Sequence, residues 1–358
     1  MSRRVVQWAT GTVGALCLEE IIRSPDLDLV GVYVYSEDKV GRDAGELVGA
    51  PTTGVLATND RKQILALDAE CVVYAPLAPS LEQLDDDVTA LLSSGKNVIT
   101  TAGYFAPESR GKEVVQRLED ACRRGQASLL GTGIEPGFMF DRVAPTITSM
   151  CTDIDYIRLV EICDAELHPA AMLLKDALGI GKHPEEVTAD TPYGQYWAAF
   201  FSEMVTAVAR ALNVTLDSIE TGLATAVASR DLDIAIGHVP AGTVVGNLHT
   251  ATGIVNGHAL IRAEIYWFVE RGVDGWPVPD HRYRWIVEIE GRPAVRNVLD
   301  PLPSLTSAGP AIDPAYVGTM ATVVNAIPDV CAAQPGILHA PIFAPWRYLV
   351  ASKESTNA

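Results

Sequence analysis

The sequence predicts an α/β protein of two domains: an N-terminal domain built on a parallel sheet, and an α+β domain with a largely antiparallel sheet. Its length of 358 residues suggests two domains. Over the first 150 residues, apolar strand-like runs alternate with amphipathic helices, the pattern of βαβ units. After residue 150 the rhythm changes to successive strand-like runs with little helix between them.

The N-terminal half contains short apolar strands that are separated by helices with one apolar face. The first helix places Val13, Leu16, Cys17 and Ile21 at helical spacing, and two later helices show similar stripes around Leu84 and Leu118. Because each strand is followed by a helix, a parallel sheet is expected. The predicted strands are 5–8, 27–35, 71–75, 97–99 and 128–130.

The C-terminal half combines one long helix with a set of longer strands. The helix is predicted over 197–212, and Asn256-Gly257 marks a hairpin between two strands. A further helix is predicted over 313–327. We divide the chain into residues 1–150, 151–311 and 312–358 on this basis. The predicted strands are 242–255, 259–270, 282–290 and 294–299.

Composition narrows the class of partner and compartment. The net charge is −18, and the isoelectric point is near 4.7. An acidic chain repels phosphate backbones and anionic lipid, so we expect neither nucleic-acid nor membrane partners. The six cysteines include no C-x-x-C pair, which argues against a disulfide framework or a zinc site. Together with the lack of an apolar leader after Met1, this favours a cytoplasmic protein.

A glycine-rich turn between the first strand and the first helix matches the G-x-G-x-x-G fingerprint, with alanine in the first position. Its second glycine lets the backbone approach a pyrophosphate, and its third allows close helix–strand packing. The helix N-terminus also attracts phosphate. The position in the first strand–helix turn is the context that the motif requires, so we predict a Rossmann domain that binds a nicotinamide dinucleotide. The motif consists of Ala9, Thr10, Gly11, Thr12, Val13 and Gly14.

The residues after the second strand decide which dinucleotide is bound. An acid at the strand end binds the ribose of NAD, whereas basic residues accommodate the 2′-phosphate of NADP. Tyr35 and Ser36 occupy the strand end, and Lys39 and Arg42 follow closely, which favours NADP(H). NAD stays open, because the acids of the Glu37-Asp38 pair could bind a ribose instead.

Four segments resemble known dehydrogenases. Residues 41–47 (GRDAGEL) and 99–104 (ITTAGY) are similar to dihydrodipicolinate reductases, in which the second segment lies against the nicotinamide. Residues 131–138 (GTGIEPGF) resemble a segment of 2,4-diaminopentanoate dehydrogenases and related native amine dehydrogenases, and the tail around 324–337 is similar to that group. The resemblance implies a homodimer that pairs through the second domain's sheet and a C-terminal helix that returns to the Rossmann domain. It also implies hydride transfer in the cleft between domains.

The sequence departs from both relatives at their catalytic positions. The H-H-x-x-x-K-x-D cluster and the P-S-G-T segment of dihydrodipicolinate reductases are absent. The glutamate that amine dehydrogenases carry after the fifth strand is also absent from Ala102-Gly103-Tyr104-Phe105. The strand-end residues around these loops complete the predicted cofactor site: Ala75, Pro76, Thr101, Ala102 and Gly103.

Three residues are candidates for proton transfer, which hydride transfer to a C=O or C=N bond requires. Glu135 is the first choice, because it lies in a glycine-rich strand-end loop; it could instead be an acid at a helix start. Tyr104 is the second candidate, although its ring could simply pack beneath the cofactor. His168 is the third, and a histidine beside proline is often a turn residue. No cluster of His, Cys or Asp has metal-ligand spacing, so we predict no metal.

These features favour an NAD(P)H-dependent oxidoreductase that transfers a hydride between the nicotinamide and a small ketone/alcohol or imine/amine substrate. One alternative is an amine dehydrogenase that uses an atypical catalytic acid. The other is a non-catalytic NADP(H)-binding sensor, because a fold does not determine a function.

Overall fold

The computed structural model describes residues 2–77, 80–306 and 312–348, which form two compact units. The first unit comprises Met1–Phe138 and Pro301–His339, and the second comprises Met139–Asp300 and Ala340–Ala358. The boundaries therefore fall at residues 138 and 300, where the sequence division has 150 and 311. The helical segment after residue 312 belongs to the first unit.

The elements are numbered in chain order. The strands are β1 (Arg3–Trp8), β2 (Leu27–Tyr33), β3 (Ala57–Thr58), β4 (Cys71–Tyr74), β5 (Asn97–Thr100), β6 (Ser128–Gly131), β7 (Asp153–Asp164), β8 (Ser218–Val227), β9 (Leu232–Ile234), β10 (Gly237–Val239), β11 (Val244–Val255), β12 (His258–Phe268), β13 (Tyr283–Arg292), β14 (Val295–Leu299) and β15 (Gly336–Ile337). The helices are α1 (Thr12–Arg23), α2 (Ala44–Val48), α3 (Arg61–Ala66), α4 (Leu81–Ser93), α5 (Lys112–Gly125), α6 (Ala144–Ile147), α7 (Pro192–Ala211), α8 (Pro314–Val324) and α9 (Ile327–Ala332).

The sheet of the first unit has the strand order β15-β6-β5-β4-β1-β2-β3, and every neighbouring pair is parallel. Strands β1 to β6 thus follow the 3-2-1-4-5-6 order of dinucleotide-binding domains. The prediction of a parallel Rossmann sheet is confirmed. The two-residue strands β3 and β15 were not predicted, because so short a run carries no apolar pattern.

Helices cover both faces of this sheet. The apolar faces of α4 and α5 pack on one side, where Leu84, Val88 and Leu118 are fully buried. The opposite side carries α1, α8 and α9, with Cys17 and Ile327 in the core. Because both faces are covered, the strands are apolar throughout, as parallel strands usually are.

The sheet of the second unit has the strand order β14-β13-β7-β12-β11-β8. All its pairs are antiparallel except β7 with β12, so the prediction of a largely antiparallel sheet is confirmed, with one parallel pair at the centre. The predicted hairpin joins β11 to β12, with positive φ angles at Asn256 and Gly257. Helix α7 packs on one face, against β11 and β12. Strands β7 and β8 were not among the predicted strands.

Two sequence expectations concern the cysteines and the membrane: no disulfide framework and no membrane partner. All six cysteines are free thiols, and five of them are buried. None of the helices within the described residues is long and apolar enough to cross a membrane.

Candidate active site

The fingerprint turn joins β1 to α1 and is held by a buried glutamine. The Gln7 amide donates to the Ala9 carbonyl at 2.8 Å, and Ala9 has a φ of 73°. The third glycine, Gly14, lies beneath this carbonyl. A Cβ atom there would be 2.3 Å from the Ala9 oxygen, so glycine alone fits. The sequence assigned Gly14 to close helix–strand packing, and the structure shows the contact.

The outer side of the turn is open. A Cβ atom built on Gly11 would meet nothing within 4 Å, and the residue is exposed. Gly11 is also the N-cap of α1 and has no side chain to bind the first amides of that helix. Thr12 and Val13 follow in the first turn, which contains no acidic residue. The turn therefore fits a pyrophosphate that approaches the positive end of the helix.

A lysine lies against this turn. The Lys39 ammonium donates to the Thr10 carbonyl at 3.0 Å and lies 3.1 Å from the Thr10 hydroxyl. Arg42 reaches the α2 carboxylate of Glu46 at 2.9 Å. Of the two nearby cations, Lys39 is therefore the one in contact with the fingerprint turn.

The other residues that follow β2 line the same edge. Tyr35 is 51% exposed, and its hydroxyl accepts a hydrogen bond from the Trp8 indole at 3.0 Å. Ser36, Glu37 and Asp38 are exposed, and the Glu37 carboxylate accepts from the Asn59 amide at 2.8 Å.

The loop after β5 is packed tightly at the carboxyl edge of the sheet. The Thr100 hydroxyl accepts from the Ala102 amide at 3.0 Å, and Gly103 has a φ of 109°. A Cβ atom on Gly131, at the end of β6, would be 2.6 Å from the Gly103 oxygen. Thr101, in this loop, is half-buried. Ala75 and Pro76 follow β4 between this loop and the fingerprint turn, and both are buried.

Tyr104 points into the helix layer of the first unit. Its ring is 1% exposed, and its hydroxyl donates to the Asp85 carboxylate of α4 at 2.7 Å. Burial, followed by the charge of Asp85, holds the pKa of the phenol well above its usual value. A phenol in this state keeps its proton, so the geometry favours the packing interpretation of Tyr104 over proton donation.

Glu135 lies in a turn that follows β6. Residues 132–138 include no helix, and the next helical segment begins at Met139. Glu135 is therefore not an acid at a helix start, which was the alternative interpretation of this residue. The turn is compact, because a Cβ atom on Gly137 would be 2.4 Å from the Gly133 nitrogen. The Glu135 side chain is half-buried at the carboxyl edge of the sheet.

His168 belongs to the second unit. It follows β7, is 1% exposed, and its Nδ1 accepts from the Ala170 amide at 3.2 Å. Its ring lies 5.8 Å from the Trp267 ring, measured between centroids. This residue is therefore buried among the strands of the second sheet, and it shares a local turn with the backbone that follows it.

Sequence reasoning missed two buried aspartates of α4. Asp85 pairs with Arg110 at 2.6 Å and also with Arg117, in addition to the Tyr104 hydroxyl. Asp87 accepts from the Tyr74 hydroxyl at 3.1 Å and pairs with Arg61 at 2.8 Å. Asp87 thus contacts the last residue of β4, and Asp85 contacts Tyr104 in the loop after β5. Asp85 and Asp87 flank the exposed Asp86, and a run of three acids is typical of a solvated helix face. The sequence pattern therefore gave no sign that two of the three are buried.

A parallel sheet in this strand order, with an open glycine turn and packed loops at the same edge, is the arrangement of a dinucleotide-binding domain, the class of domain that NAD(P)-dependent oxidoreductases contain. Comparison with known proteins supports this class. Residues 138–344 match the model of the 2,4-diaminopentanoate dehydrogenase C-terminal domain. An amine dehydrogenase from Streptomyces virginiae is 30% identical over 349 residues, 94% of either chain. A 2,4-diaminopentanoate dehydrogenase from Acetoanaerobium sticklandii is 24% identical over 355 residues, covering 96% of this chain and 93% of that protein.

The chain belongs to the family of amine dehydrogenases related to 2,4-diaminopentanoate dehydrogenase. It is a nicotinamide-dependent oxidoreductase, as the sequence predicted. Solved structures agree on the fold. An amine dehydrogenase from Mycobacterium smegmatis superposes with a TM-score of 0.76 at 20% identity, covering 97% of this chain and 99% of that chain. GenD2 from gentamicin A biosynthesis, solved in complex with NAD, superposes with a TM-score of 0.52 at 15% identity, covering 92% and 87%.

Proposed function

We propose that this protein interconverts a small primary amine and the corresponding carbonyl compound with NADP(H). In the oxidative direction the balance is R₂CH–NH₃⁺ + NADP⁺ + H₂O → R₂C=O + NH₄⁺ + NADPH + H⁺, and the bound nicotinamide accepts the hydride from the carbon that carries the nitrogen. The observation that carries the proposal is the fingerprint turn, open at Gly11 and closed at Gly14. Similarity to an amine dehydrogenase over 94% of the chain favours an amine over an alcohol.

The proton chemistry is proposed for Glu135. The amine nitrogen must be neutral when the hydride leaves, so a base near the reacting carbon accelerates the reaction. Glu135 is the acid that the sequence places in the loops after β5 and β6 (residues 101–107 and 132–138). His168 is a second candidate from the other unit. Tyr104 is given a packing role because its hydroxyl is engaged with Asp85 at 2.7 Å.

NADP(H) is proposed over NAD(H) because of Lys39. Its ammonium lies 3.0 Å from the Thr10 carbonyl, at the end of the fingerprint turn that faces β2. A 2′-phosphate on a ribose bound at the β2 end would meet this charge, and Arg42 lies three residues further along. The exposed acids Glu37 and Asp38 are an argument for NAD(H), because an acid in this position can bind the ribose. Measured affinities for NADPH and NADH decide between the two cofactors.

The activity is tested by incubating the protein with NADP⁺ and a panel of small amines and alcohols, and following NADPH absorbance. Reductive amination of the matching ketones with ammonium tests the reverse direction. We expect turnover with amines, and with ketones only when ammonium is present. Turnover with alcohols alone would contradict the amine assignment, and NADPH binding without turnover of any substrate would favour a sensor. Gly11→Val is the matched control, since it blocks the turn without a clash in the fold.

We also propose a cytoplasmic homodimer. The sheet of the second unit ends in the edge strands β14 and β8, and exposed sheet edges are usually covered. A twofold dimer is the commonest solution. Light scattering is expected to give twice the 38.3 kDa chain mass. A mass of one chain at every concentration would contradict the dimer.

A further inference from the structure

Two thiols lie side by side on one face of the first unit's sheet. Cys71 is the first residue of β4 and is fully buried, and Cys331 lies in α9 and is half-buried. Cys331 packs against the core cluster that contains Cys71. The Cys71 thiol donates a hydrogen bond to the Cys331 sulfur. Because the two residues are far apart in the sequence, only the folded unit brings them together.

The chain on both sides of Cys331 is fixed to the sheet. Ile327 and Val330, in the same helix, are buried in that core cluster. After the helix, the Gln334 carbonyl accepts from the Ser128 hydroxyl at 3.0 Å, and β15 pairs with β6. Cys331 is therefore held against the strands, and its contact with the buried thiol does not depend on a loose chain end.

The surroundings of Cys331 favour its thiolate. Arg3, the first residue of β1, pairs with Glu70 at 2.5 Å, and Asn97 is the partner of Cys71 in the β4–β5 register. The hydrogen bond from Cys71 and the positive charge of Arg3 lower the pKa of the Cys331 thiol. Burial and Glu70 oppose this shift, and a hydrogen bond with the Asn97 side chain adds to it. A partly exposed thiol beside a cation is typical of reactive cysteines.

Cys71 has the complementary character. Its hydrogen bond to Cys331 and its full burial hold the pKa of the Cys71 thiol well above the usual value, so this thiol keeps its proton. An oxidant in solution reaches the half-buried sulfur and not the buried one. Once the outer sulfur is oxidised to a sulfenic acid, it lies beside a thiol with which it can condense to a disulfide.

We propose that Cys331 is an oxidation site for hydroperoxides and that Cys71 is its resolving thiol. In the first step the Cys331 thiolate attacks a hydroperoxide, ROOH. The O–O bond breaks, the sulfur becomes a sulfenic acid, and the released RO⁻ takes a proton from solvent. In the second step the Cys71 sulfur displaces the sulfenic oxygen, the S–S bond forms, and the oxygen leaves as water with the thiol proton. Two thiols and one hydroperoxide thus give one disulfide, one alcohol and one water.

This site does not depend on the proposed amine chemistry. Cys71 begins its strand, so the two thiols lie towards the amino ends of the parallel strands. The fingerprint turn and the loops after β5 and β6 follow the carboxyl ends of those strands. The disulfide would tie α9 to β4 away from the cofactor loops.

The test treats the full-length protein with a small excess of hydrogen peroxide and maps its peptides without reduction. In the wild type, the Cys71 and Cys331 peptides are expected to become linked, with the loss of two titratable thiols per chain, and a dithiol reductant should restore both. Cys331→Ser should form no link and keep its remaining thiols. Cys122→Ser is the matched control, because Cys122 is a buried thiol of the same unit whose pKa burial raises to about 11. It should form the link as the wild type does.

A second variant separates the two steps. Cys71→Ala removes the resolving thiol, so the sulfenic acid of Cys331 should persist and react with a cyclic dione reagent, whereas the wild type should react little because its disulfide closes first. A wild-type disulfide between other cysteines, oxidation of Cys331 without a link to Cys71, or an equal loss of thiols in Cys331→Ser would overturn the proposal. The wild type and Cys331→Ser decide this even where Cys71→Ala does not fold.

Discussion

Replacement of Lys39 by alanine tests how the protein selects its dinucleotide. The Lys39 side chain is half-buried and its ammonium bonds both oxygens of Thr10. Truncation removes one positive charge from the turn without opening a core cavity. If this charge faces a 2′-phosphate, the variant should lose affinity for NADPH and keep its affinity for NADH.

The expected size follows from Coulomb's law. Two unit charges about 4 Å apart interact by about 4 kcal/mol at an effective dielectric constant of about 20, and by about 1 kcal/mol in water. Lys39 is half-buried, so an intermediate value of about 2 kcal/mol is expected, which is about 30-fold in Kd. NADH lacks the phosphate, so its Kd should change by less than about threefold, which corresponds to under about 0.7 kcal/mol.

The assay is a titration followed by nicotinamide fluorescence, at low and at raised salt, with both cofactors. Lys112→Ala removes the same charge from the exposed start of α5 and is the control. The NADPH preference should weaken with salt in the wild type and not in Lys39→Ala. Equal losses for both cofactors would mean that Lys39 only shapes the turn, and no loss for either would refute its role in recognition.

Four further predictions address the site and its support. Glu135→Gln should lower kcat by about 10²–10⁴-fold, the usual contribution of a general acid–base, with little change in NADPH affinity. A near-normal kcat in steady-state assays would contradict the role of Glu135 and leave His168 as the candidate for proton transfer. Gly11→Val should abolish dinucleotide binding and keep the fold, whereas Gly14→Val should disrupt the turn, because its Cβ atom would lie 2.3 Å from the Ala9 carbonyl oxygen. Circular dichroism measures the fold of each variant, and cofactor titration measures binding. Retained binding in Gly11→Val would mean that the turn has only a structural role. Asp85→Asn should lower the free energy of unfolding by about 2 kcal/mol, since it leaves arginines and a buried phenol without their shared partner; denaturant titration against the exposed control Asp120→Asn checks this, and equal stability of the two variants would contradict it. The pKa of Glu161 is raised in the folded state from 4.5 to about 7, so its contribution to stability is complete below about pH 4.5 and is lost as pH rises through about 7. Over this pH range the melting temperature of the wild type should fall more than that of Glu161→Gln. Parallel curves of melting temperature against pH for the two proteins would show that the pKa of Glu161 is not raised by folding.

Much of the fold follows from apolar periodicity. The five strands predicted in the first half correspond to β1, β2, β4, β5 and β6, and the four predicted in the second half correspond to β11 to β14. Strand β7 was missed because its sequence, DIDYIRLVEICD, mixes charges into an apolar run: Arg158 faces a carboxylate network and Glu161 faces two indoles. Strand β8 was missed because it is an edge strand of small and polar residues with little buried surface.

The cofactor turn was predictable because its chemistry is local. The fingerprint needs only six consecutive residues, and the sequence placed them between a strand and a helix. The supporting groups were not predictable, because they depend on contacts between distant residues. Asp85 and Tyr104 are 19 residues apart, and Glu161 and Trp285 are 124 apart. Nothing in the sequence distinguishes these acids from exposed ones until the fold brings their partners together.

The loops after β5 and β6 pack against each other, and this contact bears on which loop carries the catalytic acid. By resemblance, amine dehydrogenases carry a glutamate in the loop after the fifth strand, and here that loop has none. The same loop touches the end of β6, because a Cβ atom on Gly131 would lie 2.5–2.7 Å from the backbone of Gly103, Tyr104 and Phe105. The turn that follows β6 carries Glu135, four residues after this contact. Because the two loops adjoin at one edge of the sheet, an acid in either loop lies at the same edge, and this contact supports the proposal that Glu135 takes part in proton transfer.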